Sequence, residues 1–282
     1  MNFWKTLKIT RIALILSPIV FMASKCSEGK MKNLYTIETS YGNIIVQLYD
    51  ETPGHRDNFI KLVNEGFYDS LLFHRVMPEF MVQGGDPDSK NAQPGVQLGN
   101  GGPGYTIPAE FVDTLFHKRG ALAAARQGDD VNPNKESSGS QFYIVQGKQF
   151  SKKELNQFQT FKTRSLQQQA QQNYMSDSAS VWIREGYRRA VEAKNNDSIA
   201  HYQQLFQNGL MEAVNSVDSV VFTQQQIDAY TTIGGAPHLD GGYTVFGQVV
   251  EGLNIIDSIA MVPRDRANRP LENVVFSIKP TK

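Results

Sequence analysis

The run Phe73-His74-Arg75-Val76-Met77-Pro78-Glu79-Phe80-Met81-Val82-Gln83-Gly84-Gly85-Asp86 narrows the choice of fold more than any other stretch of the chain. Successive side chains of a strand point to opposite faces. Its alternation therefore predicts Phe73, Arg75, Met81 and Gln83 on one side of two short extended segments, with Pro78 at the turn between them. One face then carries a cation, an amide and apolar bulk. Composition alone is also met by a plainer arrangement, a strand pair in which Phe80 and Met81 are core and Arg75 is a solvated edge charge.

The surrounding sequence reads as a β-rich body. Tyr35 to Glu38 and Ile44 to Tyr49 are β-prone runs separated by Ser40-Tyr41-Gly42-Asn43, a hairpin signal. Thr52 is placed to cap a helix with Pro53 at its first position, and Phe59, Leu62 and Val63 form an apolar stripe that ends at Gly66. Such a stripe plugs a barrel. Ala121 to Ala125 predicts a strand of small residues that lets a ligand backbone come close, and Ser138 to Val145 predicts a turn leading into a strand. After Gly252, Ile255, Ile256 and Ile259 mark a second amphipathic helix, and Val274 to Ile278 a closing strand.

The wording of the Phe73–Asp86 run closely resembles the first signature of the cyclophilin family of peptidyl-prolyl cis-trans isomerases, and Ser138-Gly139-Ser140-Gln141-Phe142-Tyr143-Ile144-Val145 resembles the second. The segment from Ile233 to Val249 is similar to a third block. The resemblance covers residues 33–147 and 233–280. It implies a mainly β fold, an eight-stranded antiparallel β-barrel capped by two helices, and a proline-binding cleft containing Arg75, Phe80, Met81 and Gln83. By the same resemblance Ala125, Arg126, Gln141 and Tyr143 border the cleft, Leu239 lies on its floor, and Tyr243 falls where many members have histidine. Three positions depart from the pattern. Tyr143 replaces a phenylalanine, Arg126 an asparagine that acts through its backbone, and His238 the tryptophan with which eukaryotic members contact cyclosporin.

Between Lys148 and Thr232 the character changes, with glutamine runs at Gln167-Gln168-Gln169 and Gln171-Gln172, no proline, and apolar residues at helical spacing. Phe158, Phe161, Leu166, Ala170 and Tyr174 mark one helix; Trp182, Ala190 and Val191 a second; Ile199, Tyr202, Leu205 and Phe206 a third; and Gln224 to Tyr230 a short fourth. Ser151 and Ser178 are expected as N-caps. This α-helical insertion, residues 148–232, is expected either to pack on itself and on the barrel or to hold a client or partner protein. Every residue assigned to the cleft lies outside it, so insert and cleft are expected to be separable.

The chain opens with Lys5, Lys8 and Arg11 and then runs without charge from Ile12 to Ala23, the layout of an export signal. Twelve uncharged residues interrupted by Pro18 fall short of the ~20 that span a bilayer. Cys26, the one cysteine of the chain, follows three residues later and cannot form an internal disulfide. Ala23-Ser24-Lys25-Cys26 resembles a bacterial lipoprotein processing site, although Lys25 stands where a small residue is usual. The expected organisation is a signal segment at 1–26 ending at a lipidated Cys26, a linker at 27–32, the isomerase domain at 33–147 and 233–282, and the insert. That layout predicts an exported protein, lipid-anchored to a bacterial membrane and facing the periplasm.

With 28 basic and 28 acidic residues the formal net charge is +0, which argues against nucleic acid as a partner held by electrostatics. His55, His74, His117, His201 and His238 show no metal-ligand spacing, and no metal or cofactor is expected. Gly99-Asn100-Gly101-Gly102-Pro103-Gly104 lacks a leading strand and a following helix, so it reads as a turn-rich surface loop rather than a phosphate cradle. Ser140 lies outside any G-x-S-x-G context. Rotation about an X-Pro bond breaks no bond and needs no nucleophile. It needs a dry slot for the proline ring, for which Phe80, Met81, Tyr143 and Leu239 are suited, and a donor aimed at the imide nitrogen, for which Arg75 oriented by Gln83 is suited. The competing expectation is a non-catalytic module that binds proline-containing segments in the same cleft and uses the insert as a scaffold.

Overall fold

In the computed structural model, which describes residues 32–281, the first two β-prone runs form the hairpin β1 (Leu34–Thr39) and β2 (Gly42–Leu48). The expected export segment and Cys26 lie outside the described residues. Ile37 pairs with Ile44 across this hairpin and with Ile278 of β11 (Val275–Pro280) on its other side. All three point inward at 0–2% exposure, and burying each such side chain contributes roughly 1.5–3 kcal/mol.

Helix α1 (Pro53–Asn64) follows, then β3 (Leu71–Leu72), β4 (Arg75–Met77), β5 (Met81–Gly84), β6 (Thr106–Ile107), β7 (Ala121–Ala124), β8 (Ser137–Ser138) and β9 (Phe142–Val145). Beyond the insert come β10 (Val245–Glu251), α6 (Leu253–Ala260) and β11. The sheet is antiparallel and runs β3-β11-β1-β2-β10-β7-β9-β5-β4, with β6 and β8 as a separate ribbon. Its two outermost strands, β3 and β4, are joined by only Phe73 and His74, so the sheet curls back on itself. If β3 and β4 are taken as one broken strand, the nine strands become the expected eight. Phe59, Leu62 and Val63 of α1 and Ile256, Ile259 and Ala260 of α6 enter one core with the inward faces of the strands. These are the two expected capping helices.

The break at Phe73-His74 also corrects one sequence expectation. Phe73 packs inside, 4.5 Å from Phe276 and 6.4 Å from Phe142 between ring centroids, and does not share the face of Arg75. Alternation counts only along an unbroken strand, and the two residues between β3 and β4 reset its phase.

A second correction concerns the start of α1. Thr52 makes no side-chain cap, and its hydroxyl is buried without a partner. Glu110, far along the chain, does the capping: its carboxylate accepts from the Gly54 and His55 N–H groups, each at 2.9 Å, and contacts His55 Nδ1 at 2.6 Å. A carboxylate at a helix N-terminus satisfies orphan donors and opposes the positive end of the dipole.

The insert forms α2 (Lys152–Ser176), α3 (Ser178–Glu192), α4 (Asn196–Asn215) and α5 (Gln224–Thr232). Ser151 caps α2 as expected, in a reciprocal box with Glu154. Ser178 is instead the first residue of α3, with Asp177 before it. Glycines let the helices approach closely: a Cβ on Gly186 would lie 2.3 Å from the Tyr202 ring, and one on Gly209 would lie 2.0 Å from the Tyr174 hydroxyl. The root of the insert packs on the barrel through Phe116, Leu155, Phe222 and Tyr230, with Phe158 stacked 5.9 Å from Phe222. Its two ends meet at a bridge between Lys148 and Gly235.

Candidate active site

The cleft is built on the β4–β5 pair, in which Arg75 lies opposite Gln83 and Met77 opposite Met81. Val76 and Val82, one step out of phase, point into the core with no exposure. The backbone turns sharply after this pair. Gly85 has φ +91°, and a Cβ there would come within 2.2 Å of the Ser140 carbonyl oxygen, so glycine is required where the chain leaves Gln83.

A chain of side-chain bonds fixes the one cation of that strand pair. Arg75 Nη1 donates to Gln83 Oε1 at 3.1 Å, and Gln83 Nε2 donates to Gln141 Oε1 at 3.0 Å. Gln141 Nε2 in turn donates to the carbonyls of Gly99 and Gly101 at 2.9 and 2.8 Å. Arg75 Nη2 rests on the Met77 sulfur at 3.2 Å. The partners are neutral and the guanidinium is half-buried, and burial lowers its pKa from the ordinary arginine value. A partly desolvated charge of this kind acts more strongly on a group brought beside it than a fully hydrated one does.

The cleft has a volume of about 540 Å³. Phe80, Met81 and Tyr143 line its apolar side with Leu239; Ala125, Arg126 and Tyr243 line another. Arg126 stands over the Tyr243 ring at 4.5 Å, donates from Nε to the Gly242 carbonyl at 2.6 Å, and pairs with Asp129 at 2.7 Å. Its side chain is thus fixed beside the cleft. The His238 ring lies tilted by 41° against Phe80, 5.0 Å away between centroids. Gln141 reaches the cleft through Gln83 and lines the adjoining depression.

Of the residues the sequence assigned to the cleft, nine line it, whereas Gln141 lies beside it behind Gln83 and His238 touches only its rim through Phe80. The structure also adds residues the sequence did not mark. The glycine loop is cleft wall rather than free surface, since Gly99 and Asn100 line it and the Gly99 N–H is held by the Asp86 carboxylate. His74 lines the cleft beside Gly99 at 4% exposure, and burial lowers its pKa to about 4. Behind Tyr143 are His117 and Asp240, with His117 Nε2 3.0 Å from the Tyr143 hydroxyl and its Nδ1 2.9 Å from the Asp240 carboxylate. Burial pushes the Tyr143 hydroxyl well above the usual tyrosine range. No sequence signal joins His117 to Asp240, which are 123 positions apart. Among the described residues no group of three or more His, Cys, Asp or Glu side chains is arranged to hold a metal.

The family model described as cyclophilin type peptidyl-prolyl cis-trans isomerase/CLD matches residues 34–163 and 145–279. A Streptococcus pyogenes protein, provisionally named a bifunctional phosphatase/peptidyl-prolyl cis-trans isomerase, is 31% identical over 249 residues, covering 86% of this chain and 37% of its own length. Peptidyl-prolyl cis-trans isomerase B of Bacillus subtilis is 44% identical over 117 residues, or 41% of this chain and 72% of that protein. A Staphylococcus aureus protein provisionally named a peptidyl-prolyl cis-trans isomerase is 28% identical over 253 residues, 88% of this chain and 90% of its own. The chain spans little more than a third of the length of the Streptococcus relative.

Proposed function

Because this chain belongs to the cyclophilin-type peptidyl-prolyl cis-trans isomerases, we propose that it accelerates rotation about X-Pro bonds in exported polypeptides and so assists their folding. The barrier of roughly 18–20 kcal/mol comes from amide resonance, which is lost when the bond is twisted. As conjugation breaks, the lone pair localises on the imide nitrogen, and a donor placed there stabilises the twisted state more than either planar one. The observation that carries this reading is the Arg75–Gln83–Gln141 chain, which holds a half-buried guanidinium at the edge of an apolar slot. In this mechanism the proline ring sits against Phe80, Met81, Tyr143 and Leu239 while the preceding carbonyl turns. Gln83 aims Arg75, and Gln141 and the Arg126 backbone hold the flanking peptide.

A protease-coupled or NMR exchange assay on an Ala-Pro tetrapeptide tests the reading. Catalysed interconversion is expected. A folded protein that binds the peptide without accelerating exchange would favour a proline-binding module instead.

Export and anchoring rest on the charge and hydropathy layout before Cys26. In this proposal Cys26 carries lipid and tethers the protein to a bacterial membrane on its periplasmic face. One acyl chain holds only marginally, whereas several hold stably, so wild type is expected in the membrane fraction and Cys26→Ala in the soluble one. Identical fractionation, or a free thiol by mass spectrometry, would remove the anchor. The insert is proposed to hold client chains near the cleft, a reading supported by Trp182 at 55% and Phe161 at 72% exposure.

A further inference from the structure

Asp240, next to Leu239, is where the insert reaches the floor of the cleft. Its Oδ1 accepts from the His117 main-chain N–H at 2.9 Å and faces His117 Nδ1 at 2.9 Å. Its Oδ2 accepts from the Tyr230 hydroxyl of α5 at 2.5 Å and from Gln226 Nε2 at 3.3 Å. The Asp240 main-chain oxygen accepts from Lys162 Nζ of α2 at 2.7 Å. On the far side, His117 Nε2 lies 3.0 Å from the Tyr143 hydroxyl. An ionised carboxylate only accepts, so His117 Nδ1 carries a hydrogen. In the neutral ring Nε2 is then an acceptor and Tyr143 O–H donates to it.

The chain of groups is enclosed. Tyr230, His117 and Tyr143 are 0%, 1% and 4% exposed. A buried hydroxyl deprived of its partner is costly, so water does not readily stand in for the Tyr230 or Tyr143 link. The rings reinforce the order: His117 and Tyr143 lie nearly parallel at 6.0 Å, and Tyr243 stands edge-on to Tyr143 at 6.0 Å.

We propose that the helical insert positions the proline slot: Tyr230 and Lys162 hold Asp240, and Asp240 sets the placement of Leu239 and, through His117, of Tyr143. The proposal rests on the isomerase reading and deepens it. Lys162, Tyr230, Asp240 and His117 are positioning residues in this scheme, since none of them lines the slot. In this scheme the insert and the cleft, expected from the sequence to be separable, are joined by the bonds to Asp240.

The test is a cycle of Tyr230→Phe and Tyr143→Phe in the full chain. Tyr230→Phe keeps a ring against Phe116 and Phe222, each 5.6 Å away, and removes only the donor. It is expected to lower kcat/KM on an Ala-Pro tetrapeptide at least about threefold, and to cost much less when Tyr143→Phe has already cut the chain at the cleft end. A packing role alone would give additive losses. The second readout needs no turnover: the amide resonances of Leu239 and Tyr143 should shift in Tyr230→Phe. Wild-type kinetics with unmoved resonances, or additive losses, would overturn the proposal. Should the wild type catalyse nothing, the functional reading fails and the resonances alone decide the positioning role. If Tyr230→Phe does not fold, Lys162→Met, which cuts the separate bond to the Asp240 carbonyl, is read in the same way at Leu239.

Discussion

Arg75→Ala is expected to lower kcat/KM on an Ala-Pro tetrapeptide by at least about tenfold, equivalent to ~1.4 kcal/mol of transition-state stabilisation, in a protein that remains folded. The fold should survive because Arg75 has neutral partners and no ion pair to leave uncompensated, while its strand neighbour Val76 carries the core packing. The loss should appear mainly in kcat, because the slot that binds the ring stays in place. Arg75→Lys should recover only part of it. A lysine keeps the charge but lacks the planar fork that bonds Gln83 and a substrate nitrogen together. A folded Arg75→Ala protein with unchanged turnover would leave the mechanism without its donor.

The second large effect expected is a loss of stability in acid centred on His74. No side chain bonds its ring nitrogens, and burial outweighs the nearby Asp86 carboxylate and the Leu72 main chain, which favour the proton, with Arg75 and Arg269 adding to the depression. The folded-state pKa of about 4 lies below the ordinary histidine value of 6.5. Between those two pH values the unfolded chain binds a proton that the folded chain refuses. Stability is therefore full above about pH 6.5 and falls as pH drops toward 4. At pH 5 the loss from this one ring should be on the order of 2 kcal/mol. His55, also lowered chiefly by burial although Glu110 opposes the shift, acts in the same direction. Urea titrations at pH 7.5 and pH 5 measure the difference, and His74→Gln should flatten it whatever its own effect at neutral pH. An undiminished slope in that variant would place the acid sensitivity elsewhere.

The cleft was largely legible in the sequence because β4 and β5 are consecutive and their alternation survives folding. Arg75, Met81 and Gln83 share a face as their spacing predicts. Phe73 was misplaced because a two-residue break resets the period, and breaks of that length leave no mark in composition. Glu110 could not have been read as a cap for α1, since its acceptor role is created by tertiary folding. Thr52, the local candidate, is the right type of residue at the right position with its hydroxyl unused. The helices of the insert followed their apolar spacing. Its attachment to the cleft through Tyr230, Asp240 and His117 was invisible because those residues look ordinary one at a time. Only their approach in the fold makes them a chain.

The strand order has a consequence for how this protein comes into being. The last two strands made, β10 and β11, do not extend an edge: β10 lies between β2 and β7, and β11 between β3 and β1. A growing chain that ends before residue 245 therefore holds the β1–β2 hairpin and the β7-β9-β5-β4 group as separate ribbons, with unpaired edges and uncovered apolar faces. Such edges are templates for pairing with other chains. Closure must wait until both β10 and β11 have been made, after the whole insert has passed. A holdase that covers those edges would protect the nascent chain during that interval.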